Sequence, residues 1–222
     1  MGAVLRGALP PVQSGSASID VALPNKARLS ADSFDERSAV KAVIDGDRDA
    51  FRALVDRESP VVVRACYRIL GDPHDAEDAA QEAFVIAYRS LAAWRGEGTF
   101  GAWLARIAVR VALRQAGRRR TVEWADPERL GDSETFAVID ASGGAGDPAA
   151  MAVRAERSAD LRRAVARLDE PYRETLALRF FAERSLAEIA DATGRPLGTV
   201  KTHLRRGLLR LREALGERES DR

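Results

Sequence analysis

Three groups of side chains in this chain have types and spacings suited to chemistry. The first is acidic. Asp75, Glu77, Asp78 and Glu82 crowd the segment DAEDAAQEAF, and carboxylates that close could hold Mg²⁺ for a metal-dependent reaction on nucleic acid. On a helix, though, neighbouring Glu77 and Asp78 diverge by about 100°, and no second cluster completes a two-metal centre. A solvated acidic face, or a docking face for a basic partner helix, fits the pattern better. The second group is basic: Arg106, Arg110, Arg114 and Arg118 recur at four-residue steps in RIAVRVALRQAGRRR. Like charges so placed repel by about 0.2–0.5 kcal/mol per pair. A polyanion would relieve that repulsion, and release of its counterions would drive binding. The third group is LAEIADATGRPLGTVKTHLRRGLLRLR, Leu186 to Arg212, with six Lys/Arg and two acids, both in its first half.

Outside these groups the chain offers little reactive chemistry. His74 and His203 are far apart and form no metal-ligand cluster. Cys66 is the single cysteine; it lies on an apolar stripe and reads as a small buried hydrophobe. No catalytic residues, metal or cofactor are expected. One cysteine suits a reducing cytoplasm, and no apolar run is long enough to span a bilayer, so a cytoplasmic protein without membrane insertion is expected. The formal net charge of +1 conceals strong segregation. Gly71 to Ser90 has five acids and one base, Phe100 to Arg120 six arginines and no acid, and Thr121 to Asp160 nine acids and three arginines; Arg195 to Arg212 has six bases and no acid. Two basic islands joined by an acidic bridge suggest two nucleic-acid contacts on one chain.

The elements that must position these groups read as helices throughout. The expected fold is all-α: two small helical domains joined by a flexible acidic linker, the second containing a helix-turn-helix. Residues 1–36 lack periodicity and read as a disordered extension. Asp47 is expected to cap a helix carrying Phe51, Leu54 and Val55, and the pattern continues through Val62, Ala65, Cys66 and Ile69 until Gly71 and Pro73 stop it. Asp75 is expected to cap a helix with the stripe Ala76, Ala79, Ala80, Ala83, Phe84, Ala87, Tyr88 and Leu91. Thr99 should cap the next, with Phe100, Trp103, Leu104, Ile107 and Val111 inward; Trp94 either stacks on an unpaired base or packs under the loop. DASGGAGDPAA has linker composition. Beyond it Leu161, Val165 and Leu168 share one stripe, and Pro171 opens a helix with Leu176, Leu178 and Phe180. Ser185 and Glu188 form a capping box, Gly194 permits a tight turn, and a basic helix follows with Val200, Leu204, Leu208, Leu211 and Leu215 inward. Two short helices on a glycine turn, the second basic, make a helix-turn-helix suited to the major groove.

DAEDAAQEAFVIAYRSLAAWRGEGTFGAWLARIA resembles the core-binding and promoter-melting region of bacterial sigma factors. LDEPYRETLALRFFAERSLAEIADATGRPLGTVKTHLRRGLLRLREAL resembles their promoter-reading region. The order of the two, with no intermediate domain, resembles the extracytoplasmic-function (ECF) subfamily over about Ser38 to Leu215. The resemblance implies region 2 over 37–117, a linker over 118–154 and region 4 over 155–218. It implies that Asp75, Asp78, Gln81 and Glu82 dock on the coiled coil of the polymerase largest subunit. Arg95, Gly96, Glu97 and Phe100 would belong to the loop that captures a flipped base of the minus-ten element, with Arg106, Arg110 and Arg114 on its strand and backbone. Ser185, Thr199, Lys201, Thr202, His203, Arg205 and Arg206 would serve the helix-turn-helix at the minus-thirty-five element. Implied partners are the core polymerase, including its flap, and promoter DNA, and the family leaves room for an anti-sigma factor. Arg110 stands where family members commonly have asparagine, His203 replaces a frequent arginine, and EDAAQEA is less bulky than usual; these departures imply altered promoter preference. The competing reading is a stand-alone, LuxR-like helix-turn-helix regulator, which GTVKTHL also resembles; it leaves the acidic helix unexplained.

Overall fold

The computed structural model describes residues 35–125 and 148–220, with side chains defined over 35–118 and 150–216. The expected N-terminal extension, up to residue 34, and residues 126–147 of the expected linker lie outside the described residues. Within them the fold is all-α with no strand. The helices are α1 (Glu36–Ile44), α2 (Arg48–Leu70), α3 (Pro73–Ser90), α4 (Phe100–Ala125), α5 (Pro148–Arg167), α6 (Tyr172–Leu176), α7 (Leu186–Thr193) and α8 (Leu197–Ser220). None is long and apolar enough to cross a membrane.

Local chemistry sets most of the boundaries. Asp47 Oδ1 accepts from the backbone N–H of Asp49 at 2.9 Å and of Ala50 at 3.2 Å, opening α2 as expected. Gly71, at φ 79°, closes it with its N–H on Tyr67 O, a left-handed conformation that costs glycine nothing. The cap of α3 is a correction: Asp72, not Asp75, occupies it, accepting from Asp75 N at 3.0 Å. Pro73 at the first turn, which needs no N–H there, lets the helix begin earlier. Thr99 Oγ1 accepts from Ala102 N at 3.1 Å, as expected.

The alanine stripe of α3 (Ala76, Ala79, Ala80, Ala83, Ala87) is buried throughout. Side chains this small bring its backbone close to α2 and α4, where Leu54, Val62, Cys66, Leu104 and Val109 complete the core. Burial pushes the Cys66 thiol up to about 12, so it is an inert hydrophobe as expected. In the C-terminal half Leu176, Leu178, Ile189 and Val200 are almost fully buried. Gly207 lets α8 press on α6: a Cβ there would stand 3.0 Å from Leu176 Cδ1 and 3.3 Å from Tyr172 Cβ.

Four expected core residues lie outside. Phe180 is exposed and Phe181 buried, because α6 runs into a π-helical turn, Ala177–Phe181, in which Ala182 N bonds Ala177 O at 3.1 Å. The extra residue in that turn rotates the register away from a 3.6-residue period. Tyr88 is exposed but lays its ring edge-on against Phe51, 4.9 Å between centroids. Leu161 and Leu208 are also exposed. Leu208 instead lines a shallow apolar groove with Leu186, Leu204 and Leu209.

Candidate nucleic-acid interface

The helix-turn-helix is built as its sequence requires. Ser185 Oγ accepts from Glu188 N at 3.2 Å while Glu188 Oε2 accepts from Ser185 N at 2.9 Å, so two orphan donors of α7 are satisfied together. Burial alone would raise the Glu188 carboxyl, but its bonds to Ser185 and the charge of Arg184 hold it below its ordinary value. Gly194, at φ 65°, turns the chain, and Thr199 N on Pro196 O at 2.9 Å starts α8. Ser185 thus belongs to the cap. Its replacement by alanine is expected to destabilise the fold by about 1 kcal/mol. The readout is a lower urea midpoint with unchanged denaturant slope; an unmoved midpoint would show that the cap contributes nothing.

On α8, Val200 is buried while Lys201, Thr202, Arg205 and Arg206 are exposed. Thr202 Oγ1 donates to Gly198 O at 2.9 Å, and Thr199 is half-buried at the start of the helix. His203 behaves differently. Its ring meets Tyr172 edge-on at 5.8 Å, and Arg210 lies over that tyrosine 4.5 Å from the ring centroid. Burial, then the charges of Arg195 and Arg206, lower the His203 pKa below its usual 6.5 and so disfavour the imidazolium. A nearby phosphate would oppose that shift.

The loop before α4 rests on an aromatic platform. Phe100 is 1% exposed, with Trp94 edge-on at 6.0 Å and Trp103 at 5.7 Å. Trp94 therefore packs under the loop. Phe100 supports the loop from below, whereas Arg95 and Glu97 are exposed above it. Gly96 O accepts from Arg37 Nη2 at 3.0 Å, and Phe100 N donates to Glu36 Oε2 at 2.9 Å, tying the loop to α1.

The arginine ridge of α4 is engaged by acids of the chain itself. Glu174, on α6, is 2% exposed. Its Oε1 accepts from Arg106 Nε at 3.0 Å and from Arg110 Nε at 2.8 Å. Arg195 Nη1 stands 3.0 Å from Oε2 as a charge contact rather than an aligned hydrogen bond. Burial by itself would raise the Glu174 carboxyl; the bond and charge of Arg106, then those of Arg110, outweigh it and leave its pKa lowered. Arg106 Nη1 also donates to Ala192 O at 2.8 Å. Farther along, Arg114 Nη2 is bonded to Glu82 Oε1, and Gln115 Nε2 donates to Glu82 Oε2 at 3.3 Å. Glu82 thus faces α4, while Asp78 and Gln81 are exposed on α3 and Asp75 is half-buried. Among the described residues no three His, Cys, Asp or Glu side chains converge as a metal site would require.

Sequence reasoning missed Glu174 and Arg195. A signal was present: Glu174 lies four residues before the inward Leu178, and an acid at such a position needs a cationic partner.

Models of two families match the chain: Sigma-70 region 2 over residues 54–122 and Sigma-70, region 4 over residues 158–211. The chain is 33% identical over 181 residues to the ECF RNA polymerase sigma factor SigW of Bacillus subtilis (strain 168), covering 81% of this chain and 96% of that protein. It is 33% identical over 183 residues to the RNA polymerase sigma-H factor of Pseudomonas aeruginosa, covering 81% and 91%. The ECF RNA polymerase sigma-E factor of Escherichia coli (strain K12) is 32% identical over 192 residues, covering 83% and 94%. Among solved structures, CnrH in complex with the cytosolic domain of CnrY aligns with a TM-score of 0.52 at 21% identity, covering 82% of this chain and 97% of that one. At that identity the likeness concerns the fold alone.

Proposed function

The chain belongs to the sigma-70 family, in its ECF subfamily, and we propose how its own surfaces perform the two tasks of such a factor, binding core RNA polymerase and directing it to promoters. Asp78 and Gln81, with Asp75 and Glu82 beside them, form the face that docks on the coiled coil of the largest subunit. The loop Arg95–Phe100 and the ridge Arg106, Arg110 and Arg114 receive the minus-ten element. Lys201, Thr202, Arg205 and Arg206 enter the major groove at the minus-thirty-five element, with His203 at their margin. The first task and the minus-ten contact fall to residues 37–117, the upstream contact to residues 155–218, and residues 118–154 connect them. Phosphodiester chemistry stays with the polymerase, the protein acts in the cytoplasm where promoters are, and an anti-sigma factor is a fitting further partner.

One observation carries this reading: a single chain exposes an acidic face on α3 and a basic face on α8. A stand-alone DNA-binding regulator needs only the second. Asp78→Lys with Gln81→Ala tests the first face, and both positions lie off the buried alanine stripe, so the helix should survive. Loss of one charge-assisted contact is worth about 1.5–3 kcal/mol, and affinity for purified core polymerase is expected to fall about 10- to 100-fold. Unchanged affinity in a titration, with an unchanged circular dichroism spectrum, would remove α3 as the docking face.

A further inference from the structure

We propose that Glu174 is an internal latch: its buried carboxylate occupies Arg106 and Arg110, so that the free chain withholds these two cations of its minus-ten surface while its recognition helix stays open. The inference rests on the assignment of the α4 ridge to DNA made above. One carboxylate among three guanidinium groups leaves positive charge in excess. Arg110 is the outermost of the three, with its side chain 59% exposed against 24% for Arg106. A DNA phosphate can therefore meet Arg110 first and displace the carboxylate, exchanging one anionic oxygen acceptor on the guanidinium for another.

Two further contacts close the same seam. Arg68 Nη1, on α2, pairs with Glu183 Oε1 at 2.6 Å and donates to Phe181 O at 3.2 Å. The loop of α4 approaches α7 so closely that a Cβ on Gly98, at φ 71°, would stand 2.7 Å from Asp191 Cβ. The C-terminal half thus holds Arg106 and Arg110 of the ridge and abuts the loop at Gly98, while Arg95, Glu97 and Arg114 stay exposed. Lys201, Thr202, Arg205 and Arg206 remain exposed.

The test uses the full chain and a fluorescent mixed-sequence single-stranded DNA of about 20 nucleotides. Glu174→Gln keeps the shape and removes the charge. Glu183→Gly breaks the Arg68 pair without touching the ridge, and it relieves a non-glycine residue at φ 55°, so it should not harm the fold. Glu77→Gln, an exposed acid on α3 outside the seam, sets the effect of neutralising any one acid. Both seam variants are expected to enlarge the radius of gyration in solution scattering. Both should also tighten DNA binding beyond the Glu77→Gln control, about fivefold or more for Glu174→Gln. Unchanged dimensions in both variants would overturn the latch, even if DNA bound more tightly. Larger dimensions with DNA affinity no higher than the control would support the latch and refute the ridge as a DNA contact. If Glu174→Gln failed to fold by circular dichroism, Glu174→Asp, which keeps the charge but falls short of the two arginines, would decide between these outcomes by the same two readouts.

Discussion

Replacing Phe100 with alanine is expected to destabilise the N-terminal half by about 3–5 kcal/mol, the range for truncating a buried aromatic core residue. Phe100 is 1% exposed, so most of its transfer energy is lost on truncation. The cavity cannot collapse easily either, because Trp94 and Trp103 flank the ring from two directions. Against a typical domain stability of about 5–15 kcal/mol, such a loss endangers folding at physiological temperature. Phe100→Leu conserves most of the volume and should cost less than about 1.5 kcal/mol. Urea denaturation followed by tryptophan fluorescence measures both, since two of the three tryptophans sit against the replaced ring. A shift worth less than about 1 kcal/mol for Phe100→Ala would mean that the loop stands without its aromatic platform.

The helices were legible in the sequence wherever an apolar stripe and a cap agreed. Asp47 before Phe51 and Leu54, Thr99 before Phe100 and Trp103, and the Ser185–Glu188 box all stand where local hydrogen bonding requires. What escaped had local as well as tertiary causes. Phe180 and Phe181 exchanged places because of a π turn, which no 3.6-residue period reveals. Asp75 lost its capping role to Asp72 because a proline at the first turn moved the helix start. In the candidate site, exposed positions such as Lys201 and Arg205 followed from the apolar stripe of their own helix. The partners of the α4 ridge did not. Arg106 and Glu174 lie 68 residues apart, and pairing at that separation is set by how the helices pack, not by spacing within either one. The repulsion expected along the ridge is real in the sequence, but the chain relieves it internally through Glu174 and Glu82.

Promoter selection should separate the upstream contact from the melting contact. Arg206→Ala and Arg114→Ala each remove one positive charge, so each is expected to lower the salt slope of DNA binding by about one unit if its side chain meets a phosphate. Their effects on sequence should differ. Lys201, Thr202, Arg205 and Arg206 project from α8 on its exposed side, where loss of a base contact costs about 1–3 kcal/mol at that base pair and relaxes preference there. Lys201→Ala and Arg206→Ala should therefore flatten the minus-thirty-five preference about 5- to 100-fold without slowing the opening of promoters already bound. Arg114 lies on α4 and is held by Glu82 in the free chain. Its loss should slow promoter opening and leave upstream preference intact. Core-polymerase affinity should not fall with it, because Glu82 is then released on the docking side. Transcription from a promoter library with purified core polymerase reads all three effects together. If Arg114→Ala altered the upstream preference while Lys201→Ala and Arg206→Ala altered only opening, the two helical halves would have to exchange places on the promoter.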